Sequence, residues 1–162
     1  MGLPAYQYLE GLGIEHQRLS FPPDTEKGAA GVARALGYEP GQMVKTLIFE
    51  TGAAEQVLVM LGGDKNGISG HLKRAIGSRN IKLAGPETVK EVTGYMIGSI
   101  PPFHWQPEGF RSFLDACLMD EALLGVGAGT WGEEILITPQ NLVDASRADV
   151  VNLTDRSKDV FL

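Results

Sequence analysis

Lys45 stands in the stretch Gly41-Gln42-Met43-Val44-Lys45-Thr46-Leu47-Ile48-Phe49-Glu50, between Val44 and Thr46, where a core strand would ordinarily carry another aliphatic. A lysine so placed either turns its ammonium to the end of the sheet or reaches into a cavity, and both leave a cation beside apolar surface. Gly98-Ser99-Ile100-Pro101-Pro102-Phe103 sets two prolines shortly after a glycine, which fixes a non-repetitive backbone with exposed amides on one side. Such a loop is either a corner or one wall of a ligand pocket, since main chain can approach a ligand where no side chain intervenes. Between Lys65 and Pro86 there are five basic residues (Lys65, Lys73, Arg74, Arg79 and Lys82) and no acid. That run is either a solvated helix face or a contact for a nucleic-acid backbone.

Other reactive side chains lack the surroundings their chemistry needs. His16, His71 and His104 have no metal-like spacing. Ser99 lacks the G-x-S-x-G frame of a serine hydrolase. Cys117 is the single cysteine, so there is no disulfide framework, and it reads as a small buried hydrophobe rather than a nucleophile. Asp115 either caps the segment after it or lines a pocket. The glycines of Gly62-Gly63-Asp64-Lys65-Asn66-Gly67 fit neither Walker A nor G-x-G-x-x-G, so this is a turn.

The elements that must position these residues follow from apolar spacing and punctuation. Pro4 to Gly11 suits an opening helix, Ile14 to Phe21 a strand stopped by Pro22-Pro23, and a helix from an Asp24 or Thr25 cap to Leu36 ends at Gly37. The stretch bearing Lys45 and the run Gln56 to Leu61 read as buried strands, joined as a hairpin through Thr51-Gly52-Ala53-Ala54. Ile68, Leu72, Ala75 and Ile76 make one stripe of a helix whose outer face carries His71, Lys73 and Arg74. A short strand at 81–83 and a helix opened by Pro86 follow. Further strands are expected at 113–115, 123–128, 134–137 and 150–153, with a late helix capped by Thr138. Strands and helices mix without strict βαβ alternation, which predicts an α+β fold with a mixed or antiparallel sheet.

At 162 residues the chain fits one domain, expected to span 1–162, with enough length to bury a core. No segment approaches the ~20 apolar residues of a membrane span, and no signal-peptide pattern opens the chain, so a cytoplasmic protein without a membrane partner is expected. A net charge of −6 argues against broad nonspecific nucleic-acid binding, and no helix-turn-helix pattern points to DNA.

The lysine strand, the Gly-Pro loop and their separation resemble the YbaK/EbsC family, which includes the editing domain of bacterial prolyl-tRNA synthetases and its free-standing relatives. The resemblance runs from Ala33-Arg34-Ala35-Leu36-Gly37 and Gln42-Met43-Val44-Lys45-Thr46-Leu47 through Gly98 to Phe103. It continues in Phe113-Leu114-Asp115 and in Gly127-Ala128-Gly129 with Gly132. It implies a barrel-like central sheet surrounded by helices, and hydrolysis in trans of a wrongly attached amino acid from the tRNA 3′ end. The implied substrate is tRNA(Pro) carrying a small amino acid such as alanine or cysteine. Lys45 is then the functional lysine that holds the terminal nucleotide and aminoacyl group. Gly98, with Ser99, Ile100, Pro101 and Pro102, forms the pocket wall; Asp115 and Gly129 match recurring positions near it. Our own candidate for the acceptor-stem contact is Lys65, Lys73, Arg74 and Arg79.

An aminoacyl ester is already activated, so positioning by a cation and aimed amides can suffice, and no metal or cofactor is expected. Association with a prolyl-tRNA synthetase is a further partner the resemblance allows. The chain departs from the family at Ser99, where a second glycine is common, and at His104, where a glycine commonly follows the Pro-x pair. Both side chains are expected to narrow or reshape the pocket, which leaves the amino acid open. A non-catalytic module that binds a nucleotide or aminoacyl group is the competing reading.

Overall fold

Short helices and strands alternate irregularly along residues 2–158, which the computed structural model describes. Helix α1 (Pro4–Gly11) has proline in its first turn, where a missing N–H costs nothing, and leads to β1 (Gln17–Ser20). Helix α2 (Ala29–Leu36) precedes the hairpin of β2 (Val44–Thr51) and β3 (Gln56–Gly62). Next come α3 (Ser69–Ile76), β4 (Ile81–Leu83), α4 (Pro86–Thr93) and β5 (Ser112–Asp115). The chain then gives β6 (Leu124–Gly127), β7 (Glu133–Ile137), α5 (Pro139–Ser146) and β8 (Asp149–Val151). Thr138 caps α5 as its sequence predicts, accepting a hydrogen bond from the Asn141 N–H at 3.3 Å.

The strands form two sheets. One has the order β4-β2-β3-β5-β8, antiparallel from β4 to β3 and parallel from β3 to β8; the other is antiparallel, in the order β1-β7-β6. The expected α+β mixture is there. The sheet, rather than closing into one barrel, is split, and among the described residues the β-pairing between its halves is one parallel bridge, Met43 to Gly125. Leu58, Met60 and Leu114 of the larger sheet meet Leu124, Val126, Ile135 and Ile137 of the smaller in the main core. On the opposite face, Val57, Val59, Leu61 and Phe113 pack with Leu72 and Ile76 of α3.

Three local expectations change. Strand β1 begins at Gln17 rather than Ile14. Helix α2 begins at Ala29 rather than near Thr25. The Thr25 N–H closes a turn onto the Pro22 carbonyl at 2.9 Å, and Gly28 has φ 102°, a left-handed backbone that no helix can include. His71, expected on the outer face of α3, is buried beside Leu72.

Asp115 is fully buried at the end of β5, where its carboxylate accepts hydrogen bonds from the Leu153 N–H at 2.8 Å and the Thr154 hydroxyl at 2.5 Å. The Leu153 carbonyl in turn accepts the Ile68 N–H that precedes α3. The aspartate therefore ties the segment after β8 to the entry of α3, and does not line a pocket. Asp115→Ala is expected to cost about 3 kcal/mol, the worth of hydrogen bonds to a buried charge, read as a lower urea midpoint at unchanged slope.

Candidate functional site

The cavity of this fold lies where the two sheets part. Beyond the Met43–Gly125 bridge no further pairing joins β2 to β6 among the described residues, and a space of about 510 Å³ opens in the cleft. Residues 43–47 form one wall and Met96–Ile100 another. Gly28, Ala29 and Val32 close it from α2, and Trp131, Glu133 and Glu134 from β7 and the turn before it.

The β2 wall includes an open strand edge. Strand β4 pairs only with residues 49–51, and the Ala84 N–H bonds the Ile48 carbonyl. Strand alternation directs the main-chain groups of Thr46, two residues earlier, to the same edge, where β4 no longer reaches. The Thr46 N–H and C=O thus face the cavity. Lys45 points to the face covered by α3, like Leu47. Its half-buried stem lines the cavity, and its ammonium donates to the main-chain carbonyl of Lys65 in the turn after β3. Of the two outcomes its sequence left open, the lysine does something of each: it lines the cavity, and its ammonium meets the turn at the end of the sheet.

The second wall is a tight turn. The Ser99 N–H bonds the Met96 carbonyl at 3.2 Å, and Gly98 at the third position has φ 95° while Ile97 at the second does not have positive φ. That is a type II β-turn, for which glycine is the ordinary requirement. It leaves the Gly98 N–H without a main-chain partner among the described residues. The turn is held from behind. The Ser99 carbonyl accepts the Gly129 N–H at 2.9 Å, and a Cβ at Gly127 would come within 3.0 Å of the Ser99 main chain. A Cβ at Gly129 would stand 2.7 Å from the Tyr95 ring.

The structure brings Lys45, Gly98, Ser99 and Ile100 to one cavity, with Lys65 beside Lys45 at its mouth. It places the other expected residues elsewhere. Pro101 and Pro102 are buried behind the wall, where their carbonyls accept the Trp105 Nε1–H at 2.5 Å and the Gln106 Nε2–H at 2.8 Å. Gly129 acts one layer back, and Asp115 is in the fold's interior. Lys73 and Arg74 are exposed in the last turn of α3 and Arg79 follows it, clear of the cavity. His104 does not narrow the pocket as expected. It adopts φ 79° and its Nε2 meets the Tyr95 hydroxyl at 2.5 Å, which clasps the two ends of the 95–104 loop; burial lowers its pKa.

Sequence reading missed Glu134. It is 8% exposed, lines the cavity, and has no hydrogen bond or ion pair among the described residues. Burial without a compensating charge pushes its carboxyl up to about 8. The signal was there: in Glu133-Glu134-Ile135-Leu136-Ile137 the acid shares a face with buried Leu136, a position where an alternating strand expects an apolar residue. Trp131, with Lys27 Nζ 3.8 Å from its ring centre, was also missed, since the partners lie far apart in sequence.

Comparison with known proteins supplies a frame for this cavity. The model of the aminoacyl-tRNA editing domain matches residues 24–145. A proline–tRNA ligase of Desulforamulus reducens is 35% identical over 89 residues, covering 55% of this chain and 15% of the ligase. The multifunctional Ser/Thr-tRNA deacylase ProXp-y of Escherichia coli K12 is 26% identical over 125 residues, covering 75% of this chain and 74% of that protein. A solved structure described as a candidate trans-editing enzyme for prolyl tRNA synthetase superposes with a TM-score of 0.82 at 28% identity, covering 94% of this chain and 98% of that one.

Proposed function

The chain belongs to the aminoacyl-tRNA editing domain family, the YbaK/EbsC family, and on that premise we propose that it hydrolyses mischarged aminoacyl-tRNA in trans. The bond broken is the ester joining a small amino acid, such as alanine or cysteine, to the 3′ end of tRNA(Pro), with free amino acid and free tRNA as products. The observation that carries this reading is that Lys45 and the Gly98 turn, 53 positions apart, border one cavity. At about 510 Å³ that cavity has the size of a small-ligand site. It suits a terminal aminoacyl nucleoside and is too small for an RNA helix, so the body of the tRNA stays outside.

The chemistry asks little of side chains. Water attacks the ester carbon, assisted by the neighbouring ribose hydroxyl, and negative charge grows on the carbonyl oxygen. The Gly98 N–H is a free, fixed donor for that oxygen, and a donor aimed at developing charge contributes to the rate without needing to reorganise. The Lys45 ammonium, at the mouth, holds the terminal nucleotide. Gly98→Ala is expected to strain the turn by ~1–2 kcal/mol and to turn the amide away, lowering single-turnover deacylation at least tenfold while the protein stays folded. Turnover and urea denaturation of the same variant check both halves.

The basic residues outside the cavity suit the acceptor stem. Lys65 adjoins the mouth, while Lys73 and Arg74 lie on α3, which covers the sheet face to which Lys45 points. Replacing Lys73 and Arg74 together by alanine is expected to weaken tRNA binding and lower the slope of log affinity against log salt by about 1–2. Binding measured at several salt concentrations reads it directly.

The deciding experiment is single-turnover hydrolysis of a panel of mischarged tRNAs, starting with tRNA(Pro) carrying alanine or cysteine and extending to serine and threonine. Hydrolysis of at least one member is the expected result. Binding of tRNA with no hydrolysis of any member would replace the deacylase by a binding module.

A further inference from the structure

The cavity holds two acids and two lysines, and only one of the four lacks a partner among the described residues. Glu133 accepts the Ser20 hydroxyl at 2.5 Å, Lys27 lies over Trp131, and Lys45 is on the Lys65 carbonyl. Glu134 stands alone. Directly opposite it on β6 is Gly127, and two pairs further along, on the same face, is Gly125, so no side chain from that strand covers the carboxyl. A Cβ at Gly125 would lie 3.0 Å from Glu134 Oε2 and 2.7 Å from Met43 Sδ. The carboxyl therefore sits beside a thioether at the closed end of the cleft, near the Met43–Gly125 bridge.

We infer that Glu134 receives the α-ammonium of the aminoacyl group, as a positioning contact that selects tRNAs bearing an unblocked amino acid. The inference rests on the deacylase reading and names what the closed end of its cavity recognises. Every unblocked aminoacyl ester carries a protonatable amine beside the ester carbonyl, primary for all but proline, whatever the side chain. Burying that cation without an anion is costly, and so is burying Glu134 without a cation; the two costs offset each other when the groups meet. Desolvation alone raises the carboxyl's pKa, and an ammonium at bonding distance restores its ionised form. Holding the amine also fixes the ester carbon, two bonds away, relative to the Gly98 turn. An N-acylated substrate, such as peptidyl-tRNA, has no cation to offer and adds bulk where the cleft closes.

The test compares wild type with Glu134→Gln on the panel member hydrolysed fastest and on its N-acetyl derivative, in single turnover. Wild type is expected to favour the free amine by about 10- to 100-fold, the discrimination typical of a hydrogen bond to a charged group. In Glu134→Gln the free-amine rate falls and the preference shrinks toward one, while the N-acetyl rate is unchanged. Equal slowing of both substrates would overturn the inference, because it would mean that Glu134 acts on the attacking water or on the fold. Absence of preference in wild type would overturn it as well. Should no tRNA be hydrolysed, the deacylase reading itself fails, and binding of 3′-alanylamino-3′-deoxyadenosine against its N-acetyl form then reads the contact alone. A free-amine preference that Glu134→Gln removes supports the contact; equal binding of the two forms overturns it.

Discussion

Lys45→Ala is expected to lower single-turnover deacylation by about 100- to 1,000-fold while leaving the melting temperature almost unchanged. The two halves have separate causes. The ammonium's hydrogen bond is to the main-chain carbonyl of Lys65 at the cavity mouth, a place open to water. Truncation therefore strands no buried charge, and surface losses of this kind usually stay within ~0.5 kcal/mol. Turnover, by contrast, loses the cation that holds the terminal nucleotide in the reacting position, and misplacement of a substrate costs on the order of 100-fold or more. Lys45→Arg is expected to restore little of it, since a planar fork does not reproduce a compact ammonium on a flexible stem. Full activity in Lys45→Ala would mean that the lysine takes no part in holding substrate.

The second large effect is on stability and its pH dependence. Burial raises the Glu134 carboxyl from 4.5 to about 8. A raised acid favours the folded protein while protonated. Its contribution is intact below about 4.5, falls as pH climbs toward 8, and is lost above. The loss amounts to roughly 3–5 kcal/mol across that window, at ~1.4 kcal/mol per unit. Glu134→Gln removes the titration, so the variant is expected to match wild type near pH 4.5 and exceed it by that amount above pH 8. Urea denaturation of the pair at half-unit pH intervals measures it; parallel curves would show that the carboxyl is solvated and not held in an apolar site.

The sequence disclosed the walls of the site better than its floor. Lys45 and Gly98 were legible because each breaks a local rule: a lysine in an apolar run, and a glycine shortly before two prolines. Local rules also delivered β3, α4 and the Thr138 cap. Asp115 was ambiguous because its partners, Leu153 and Thr154, are distant in sequence and are ordinary residues in their own segment. The start of α2 misled because two capping residues, Asp24 and Thr25, are present but belong to the turn set by Pro22 and to the left-handed Gly28. Glu134 escaped notice because an acid at a strand end ordinarily faces water. Only the pairing of β7 with the glycines of β6, and the parting of the two sheets, turns it inward.

Two of the groups at the cavity wall, the Thr46 edge and the Gly98 N–H, are peptide groups, whose carbonyls no substitution can delete and whose N–H only proline removes. Mutation otherwise reaches them only through the backbone, by displacing Gly98 or the glycines packed behind its turn. On the proposed reading, the groups addressing the ester are consequently robust to drift, whereas side chains around the acyl group, Met43 among them, are free to be exchanged one at a time. A protein built this way can change its clientele without relearning its reaction, and relatives at 26% and 35% identity need not share a substrate.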